Sequence, residues 1–311
     1  MIELGQLTKR NIKLFFKDKG LFFSSLITPA ILLILYSTFL GKVFKDSYVS
    51  NIPQGISIDD KIISSLVAGQ IFSSIIAVCC VTVAFCSNML MVQDKLSGAR
   101  NDLLISPVKA HIVALSYFLS TFVSTLVVCL FASILCMIYT AVVGWFYTVA
   151  DIALILVDLV LLTLFGTLLS TIVNTFLSSQ GQISAVGTIV SSVYGFICGA
   201  YMPISSFGKG LQNFLMFLPS TYSTSIAKMH TMAGAMRQLE NSSIPQEVVD
   251  GIYNFTDMRL SFFSRPVSIG ATYGVVIGSI VVLMIAYIVI QVIAQKNTTK
   301  KHVFSAKIQT K

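Results

Sequence analysis

The chain has 311 residues, 55% hydrophobic and only 11% charged, with a formal net charge of +8. Soluble domains carry about 25% charged residues, so this balance excludes an ordinary soluble fold and defines a polytopic membrane protein. The bases cluster beside apolar runs, where anionic headgroups are their natural partners, and nucleic-acid binding is not expected.

Residues 1–19 predict an amphipathic helix lying in the headgroup plane. At about 100° per residue, Leu4, Leu7, Leu14 and Phe15 share one arc and Lys9, Arg10, Lys13 and Lys17 the opposite one. No small-residue cleavage site follows, so the first apolar run is expected to remain as a span over 20–41, kinked at Pro29. A polar connection, 42–61, contains the turn residues Pro53 and Gly55.

No charged residue occurs between Lys61 and Asp94, and none between Lys109 and Asp151. Each gap exceeds the roughly 20 apolar residues that a spanning helix needs. The second span is placed at 62–92, long enough to tilt or to project from the bilayer. The third is placed at 112–144, closed by an aromatic belt of Trp145, Phe146 and Tyr147, and the fourth at 152–176. The fifth, 183–202, is rich in Ser and Gly, which let membrane helices approach closely. Residues 203–228 are apolar but interrupted at Pro203, Gly208, Gly210 and Pro219, and read as a re-entrant segment. Residues 229–265 form an aqueous segment in which Ser243 caps a short helix through Gln246, with Val248, Val249, Ile252 and Phe255 as its apolar side. The last span is 266–294, followed by a basic, disordered tail over 295–311.

Six spans put both termini on one side. Lys9, Arg10, Lys13, Lys17 and Lys19, then Lys95, Arg100 and Lys109, then Lys296, Lys300, Lys301, Lys307 and Lys311 mark that side as cytoplasmic. Residues 42–61 and 229–265 then lie outside. All six cysteines (Cys79, Cys80, Cys86, Cys129, Cys136 and Cys198) fall within apolar runs and read as small packing residues. The histidines His111, His230 and His302 are scattered without an HExxH pair, and no phosphate-binding loop occurs, so the chain is not expected to be an enzyme or to hold a metal. Asp158 lies about 10 Å beyond Asp151 along the fourth span. It reads either as a structural polar contact or as a pathway or proton site. Asn174 and the hydroxyl residues of the spans read as interhelical hydrogen-bonders.

The charged island 93–111 carries Asp94, Gly98, Leu103-Leu104 and Ser106-Pro107-Val108. This order resembles the ABC type-2 membrane permeases, which carry an acid, a glycine, a leucine pair and a (Thr/Ser)-Pro-Val run between their second and third spans. Ala99 and Asn101 stand where many relatives have Thr and an acid. A second match lies at Gly199, Pro203-Ile204, Leu211-Gln212, Leu218-Pro219 and Tyr222, with Lys228 where relatives have arginine. A proline that often follows shortly after Pro203 is absent here, near Phe207-Gly208.

The resemblance implies an all-α fold of six transmembrane helices, with an N-terminal interfacial helix, a cytoplasmic coupling helix at 93–111 and re-entrant helices after the fifth span. It assigns Asp94, Gly98, Arg100, Asp102, Leu103, Leu104 and Pro107 to ATPase coupling, and Gly199, Pro203, Pro219, Tyr222 and Lys228 to an outer gate. Leu103, Leu104 and Ile105 are expected as apolar knobs for helix-in-groove docking. Phe72, Ile75, Phe196, Met202 and Asp158 are the candidate pathway residues, expected where the second and fifth spans meet a second copy or a similar permease. Two copies of a separate ATPase subunit would hold ATP and Mg, and this chain would bind no cofactor. The expected cargo is hydrophobic or amphipathic. A lipid-linked glycan or peptide is the alternative, and ion-coupled transport through Asp158 is the rival from another class.

Overall fold

The computed structural model describes residues 2–50, 58–105, 108–242 and 244–309, excepting the side chains of Thr28, Ser37, Leu104 and 294–309. Pro53, Gly55, Pro107 and the Ser243 cap lie outside the described residues, as do the side chains of the basic tail.

The described residues are all-α apart from one hairpin of two-residue strands. Helix α1, Ile2–Lys17, packs Phe15 inward and leaves Lys9, Lys13 and Lys17 exposed, while Arg10 turns toward the bundle. Asp18 caps α2, Lys19–Leu35, by accepting from the Leu21 amide at 3.0 Å. The first span departs from α geometry in a π-helical segment, Tyr36–Leu40, beyond Pro29, and continues as α3, Gly41–Ser50. It therefore outlasts the expected 20–41, and the connection to α4 begins only after Ser50.

Helix α4, Asp60–Leu96, has 37 residues and is about 55 Å long, well beyond a hydrocarbon core of about 30 Å. Its most apolar window is 94% buried, whereas that of the last helix is 17% buried. Helices α2, α3, α6 (Ala110–Val143), α7 (Val149–Phe176) and α8 (Gln180–Ile197) all pack on α4, making it the axis of the bundle. At the crossing with α7, a Cβ on Gly166 would stand 2.2 Å from the Cys80 carbonyl oxygen, so only glycine fits. Asn88 donates to Thr171 Oγ1 at 3.0 Å two turns further on, an interhelical bond of the expected kind, whereas Thr82, Ser133 and Thr140 donate to carbonyls of their own helices and the Asn174 amide nitrogen has no partner among the described residues.

Among the described residues, five helices are long and apolar enough to cross a membrane: Lys19–Ser50, Asp60–Leu96, Ala110–Val143, Val149–Phe176 and Ile269–Ile293. The fifth expected span, 183–202, is not among them, because α8 has only 18 residues and its Ser, Gly and Gln content dilutes its hydropathy. Helix α7 opens with a capping box, in which the Thr148 amide donates to Asp151 at 2.7 Å and the Asp151 amide to Thr148 Oγ1 at 3.3 Å. Of the expected aromatic belt, Trp145 faces outward, while the Tyr147 hydroxyl turns in to the Thr231 carbonyl at 2.6 Å.

After α8 come a 3₁₀ turn, Ile204–Ser206, and the helices α9 (Lys209–Leu215), α10 (Pro219–Thr231), α11 (Ala233–Glu240) and α12 (Gln246–Phe255). Val248, Val249 and Ile252 are buried on α12, and Phe255 lies edge-on to Tyr48 with centroids 5.8 Å apart. Strands β1, Ser261–Phe262, and β2, Arg265–Pro266, form the hairpin that leads into α13, Ile269–Gln309. The tail expected to be disordered is helical through Gln309, since no glycine or proline interrupts it after Gly278.

Candidate functional site

At one end of the bundle α4 outlasts its apolar run and carries Asp94 in its last turn, 7% exposed. A buried carboxylate needs donors, and Asp94 takes them from the Tyr117 hydroxyl at 2.6 Å and Arg10 Nη1 at 2.8 Å. Burial by itself would lower the Arg10 pKa, but the hydrogen bond and charge of Asp94 outweigh it and hold the guanidinium above its ordinary range. Asn11, beside Arg10, donates to Ser116 Oγ at 3.3 Å. Asp94 thus knots α1, α4 and α6 together, where an acid facing an ATPase was expected.

Gly98, at φ 86°, ends α4 in the left-handed region and turns the chain into α5, Ala99–Ile105. The helix expected over 93–111 is thereby reduced to seven residues, because 93–96 belong to α4 and 110–111 to α6. Leu103 packs inward against Met91, Val113 and Tyr117, while Ile105 is 81% exposed. Of the expected apolar knobs with described side chains, Leu103 turns inward and Ile105 projects, with Asp102 exposed beside it. Arg100 is half-buried, and Leu104's side chain and Pro107 lie outside the described residues.

Between the first span and α8 runs a cleft of about 1240 Å³. Its lining extends from Gly20 at one end of α2 to Ser47 near the end of α3, about 40 Å of helix, and so matches the full depth of a bilayer. One wall is apolar, with Ile27, Ile31, Leu35 and Phe39; the other, from α8, is small or hydroxylated, with Ser184, Gly187, Thr188 and Ser191. No charged side chain lines it among the described residues. Phe196 and Met202 lie in this lining. Phe72 and Ile75 do not, being 0% and 1% exposed inside the bundle, because α4 is enclosed on nearly every side and reaches the cleft only through Cys86, Met89 and Gln93.

The turn after α8 closes the opposite end. Gly199, at φ 74°, permits the reversal after α8, and its carbonyl accepts from Lys228 Nζ at 3.0 Å. Lys228 also pairs with Asp257 Oδ2 at 3.1 Å, and both side chains are buried. Asp257 in turn accepts from the Ile204 amide at 2.6 Å and the Ser205 amide at 3.0 Å. These two amides lie just beyond Pro203. Pro219 opens α10 at a position where its missing N–H costs nothing, and Tyr222 is buried on that helix. The Ala200 carbonyl accepts from Tyr36 Oη at 2.6 Å and Ser74 Oγ at 2.8 Å, tying the turn to the π segment and to α4. Outside this turn, Arg237 pairs with Asp151, Nη1 to Oδ1 at 2.9 Å. Sequence reasoning missed Asp257, which nothing in the local pattern separates from the exposed Asp250.

Asp158 is 1% exposed and its Oδ2 lies 2.5 Å from His230 Nδ1, while Tyr273 Oη lies 3.3 Å from His230 Nε2. The carboxylate is therefore answered from α10 and is absent from the cleft lining. His230 answers Oδ2 only, and Asp158 Oδ1 has no hydrogen-bond partner among the described residues. His230 was also missed, since it stands at the edge of the segment read as aqueous.

A long enclosed axis helix, several membrane-length apolar helices, a short exposed elbow at one end and a pinned turn at the other define a multi-pass membrane protein. A family model described as ABC-2 type transporter matches residues 2–229, and the chain belongs to that family. It is thus a transport subunit of a kind that generally does no catalysis itself. Neither curated proteins nor solved structures give a match to the chain.

Proposed function

We propose that the chain is the permease subunit of an exporter that moves a hydrophobic or amphipathic molecule, drug-, antimicrobial- or lipid-like, using ATP hydrolysed by a separate ATPase subunit. The observation that carries this reading is the charge-free cleft of about 1240 Å³ running the depth of the first span. A formally charged cargo would stand there without a counter-charge, at a cost of several kcal/mol or more. Two permease copies, or this chain and a similar one, face each other across α8, and each binds one ATPase through the α5 elbow and α1. ATP and Mg stay on that partner. In this arrangement α8 and the turn after it serve as a further span, giving six, and the re-entrant turn at Pro203 is the outer gate. Both termini are cytoplasmic, 229–265 lies outside, and the membrane is a bacterial plasma membrane. The apolar wall suits a lipid-like molecule better than a bare peptide or glycan.

The test is export of a neutral hydrophobic dye from proteoliposomes containing the chain and its ATPase subunit. ATP-dependent export that falls at least ~10-fold in Thr188→Trp, which fills the cleft from the exposed α8 wall, is the expected result. Export driven by an ion gradient without the ATPase would overturn the reading.

A further inference from the structure

The hairpin between α12 and α13 does something that neither the cleft nor the elbow requires. Its base is docked: Leu260 is 4% exposed and packs with Met216 and Tyr222, and the Val267 amide donates to the Leu260 carbonyl at 2.9 Å. Its tip points the other way. Phe263 and Ser264 both adopt left-handed backbone, at φ 47° and 64°, a conformation that a bulky aromatic residue rarely accepts. Phe263 is 59% exposed as a result.

The tip is part of a cluster. Phe262 and Phe263 stack edge-on at 4.8 Å, and Phe217, which follows α9, lies 5.1 Å from Phe262 and 6.3 Å from Phe263. Phe217 is 65% exposed, and Leu211 and Phe214, on one side of α9 at i and i+3, are 47% and 62% exposed. Lys209 and Arg265 are exposed in the same two elements, and neither forms an ion pair among the described residues. Water is an unfavourable solvent for such a contiguous aromatic surface. Chain continuity names a better one: Ile269, three residues past β2 and 62% exposed, begins α13, whose outward residues Ile277, Val281 and Ile285 are the lipid-facing side of a membrane-length helix.

We propose that the hairpin tip and α9 form a lipid-binding anchor. Phe214, Phe217 and Phe263 sit at the headgroup–acyl boundary of the leaflet at that end of the bundle, with Lys209 and Arg265 on phospholipid phosphates. Aromatic rings with flanking cations suit that zone because one part of it is apolar and the other wet. Since the hairpin base packs on α10 through Tyr222, the anchor fixes the re-entrant unit against the bilayer itself. The proposal does not depend on what cargo is carried.

Trp145 is the chain's single tryptophan, which makes the test direct. In a Trp145→Phe background, Phe263→Trp and, separately, Phe217→Trp are reconstituted in phosphatidylcholine vesicles containing brominated lipids. The expected result is blue-shifted emission at both positions, quenched strongly by bromines near the glycerol end of the acyl chains and weakly by bromines near the chain ends. Phe217→Trp guards against a disturbed hairpin turn, since it leaves the left-handed residues untouched. Water-like emission that no brominated lipid quenches would overturn the proposal. So would blue-shifted emission that is unquenched and becomes water-like on dilution to one copy per vesicle, because a second copy of the chain would then be the occupant.

Discussion

The two ends of the bundle are built on opposite plans. At the elbow, seven residues of α5 hang between the ends of α4 and α6, held by the inward Leu103 and by the Asp94 knot beneath them, with Ile105 and Asp102 left in the open. At the other end a buried set of polar groups is tied together: Lys228 and Asp257 to each other and to backbone, Ala200 to two hydroxyls from different helices, and, nearby, Arg237 to Asp151. An exposed short helix on a firm base has the form of a handle for a partner, whereas a buried ion-paired turn has the form of a cap held from within. The long axis helix α4 touches both and is stiff enough to connect them.

The largest effect that would break this comparison is expected at the cap. Lys228→Ala leaves the Asp257 carboxylate buried without its cation, a loss of roughly 3–5 kcal/mol. The thermal unfolding midpoint in detergent should drop sharply, and Lys228→Ala with Asp257→Asn should recover part of it. An unchanged midpoint would mean that the turn is not pinned by this pair. Asp94→Asn is expected to cost less, roughly 1.5–3 kcal/mol, because the amide keeps one acceptor for Tyr117 while losing the charge facing Arg10. Limited proteolysis should then release α1 before the spans are cut; simultaneous cleavage throughout would argue against a local knot. Ile105→Asp sits at the small end of the scale for stability, within about 0.5 kcal/mol, since an exposed side chain gives up no packing.

How much of this was legible beforehand depends on whether a feature is set by composition or by distant pairing. Apolar runs revealed α4, α6 and α7, because charges are costly inside a bilayer and their gaps mark the spans. The same logic ends the second span at 92, because a charge gap marks where the lipid-compatible run stops, while the helix itself continues to Leu96 and keeps Asp94 buried. Helix α8 was read as a full span because its Ser and Gly content was credited to close packing, yet it ends at Ile197 with much of its surface exposed. Asp158 was visible as an anomaly, but its partner lies 72 positions away, and no local pattern pairs it with His230. Phe72 and Ile75 are large apolar residues of the second span, and the sequence does not tell a pathway lining from a core there; the structure places both in the core. The elbow glycine was legible for a physical reason, since a chain that must reverse out of a long helix needs a residue tolerant of φ near 86°.

The contrast between handle and cap rests most heavily on Ile105, an apolar side chain of α5 that is 81% exposed. Its most direct measurement is the ATPase rate of the complex, with and without cargo, for wild type and Ile105→Asp at matched thermal stability. If α5 is the handle, the variant retains its fold and loses association with the ATPase or its cargo-stimulated rate, by ~10-fold or more, as expected for a docking anchor. A variant that assembles with the ATPase and exports cargo at the wild-type rate would contradict that role.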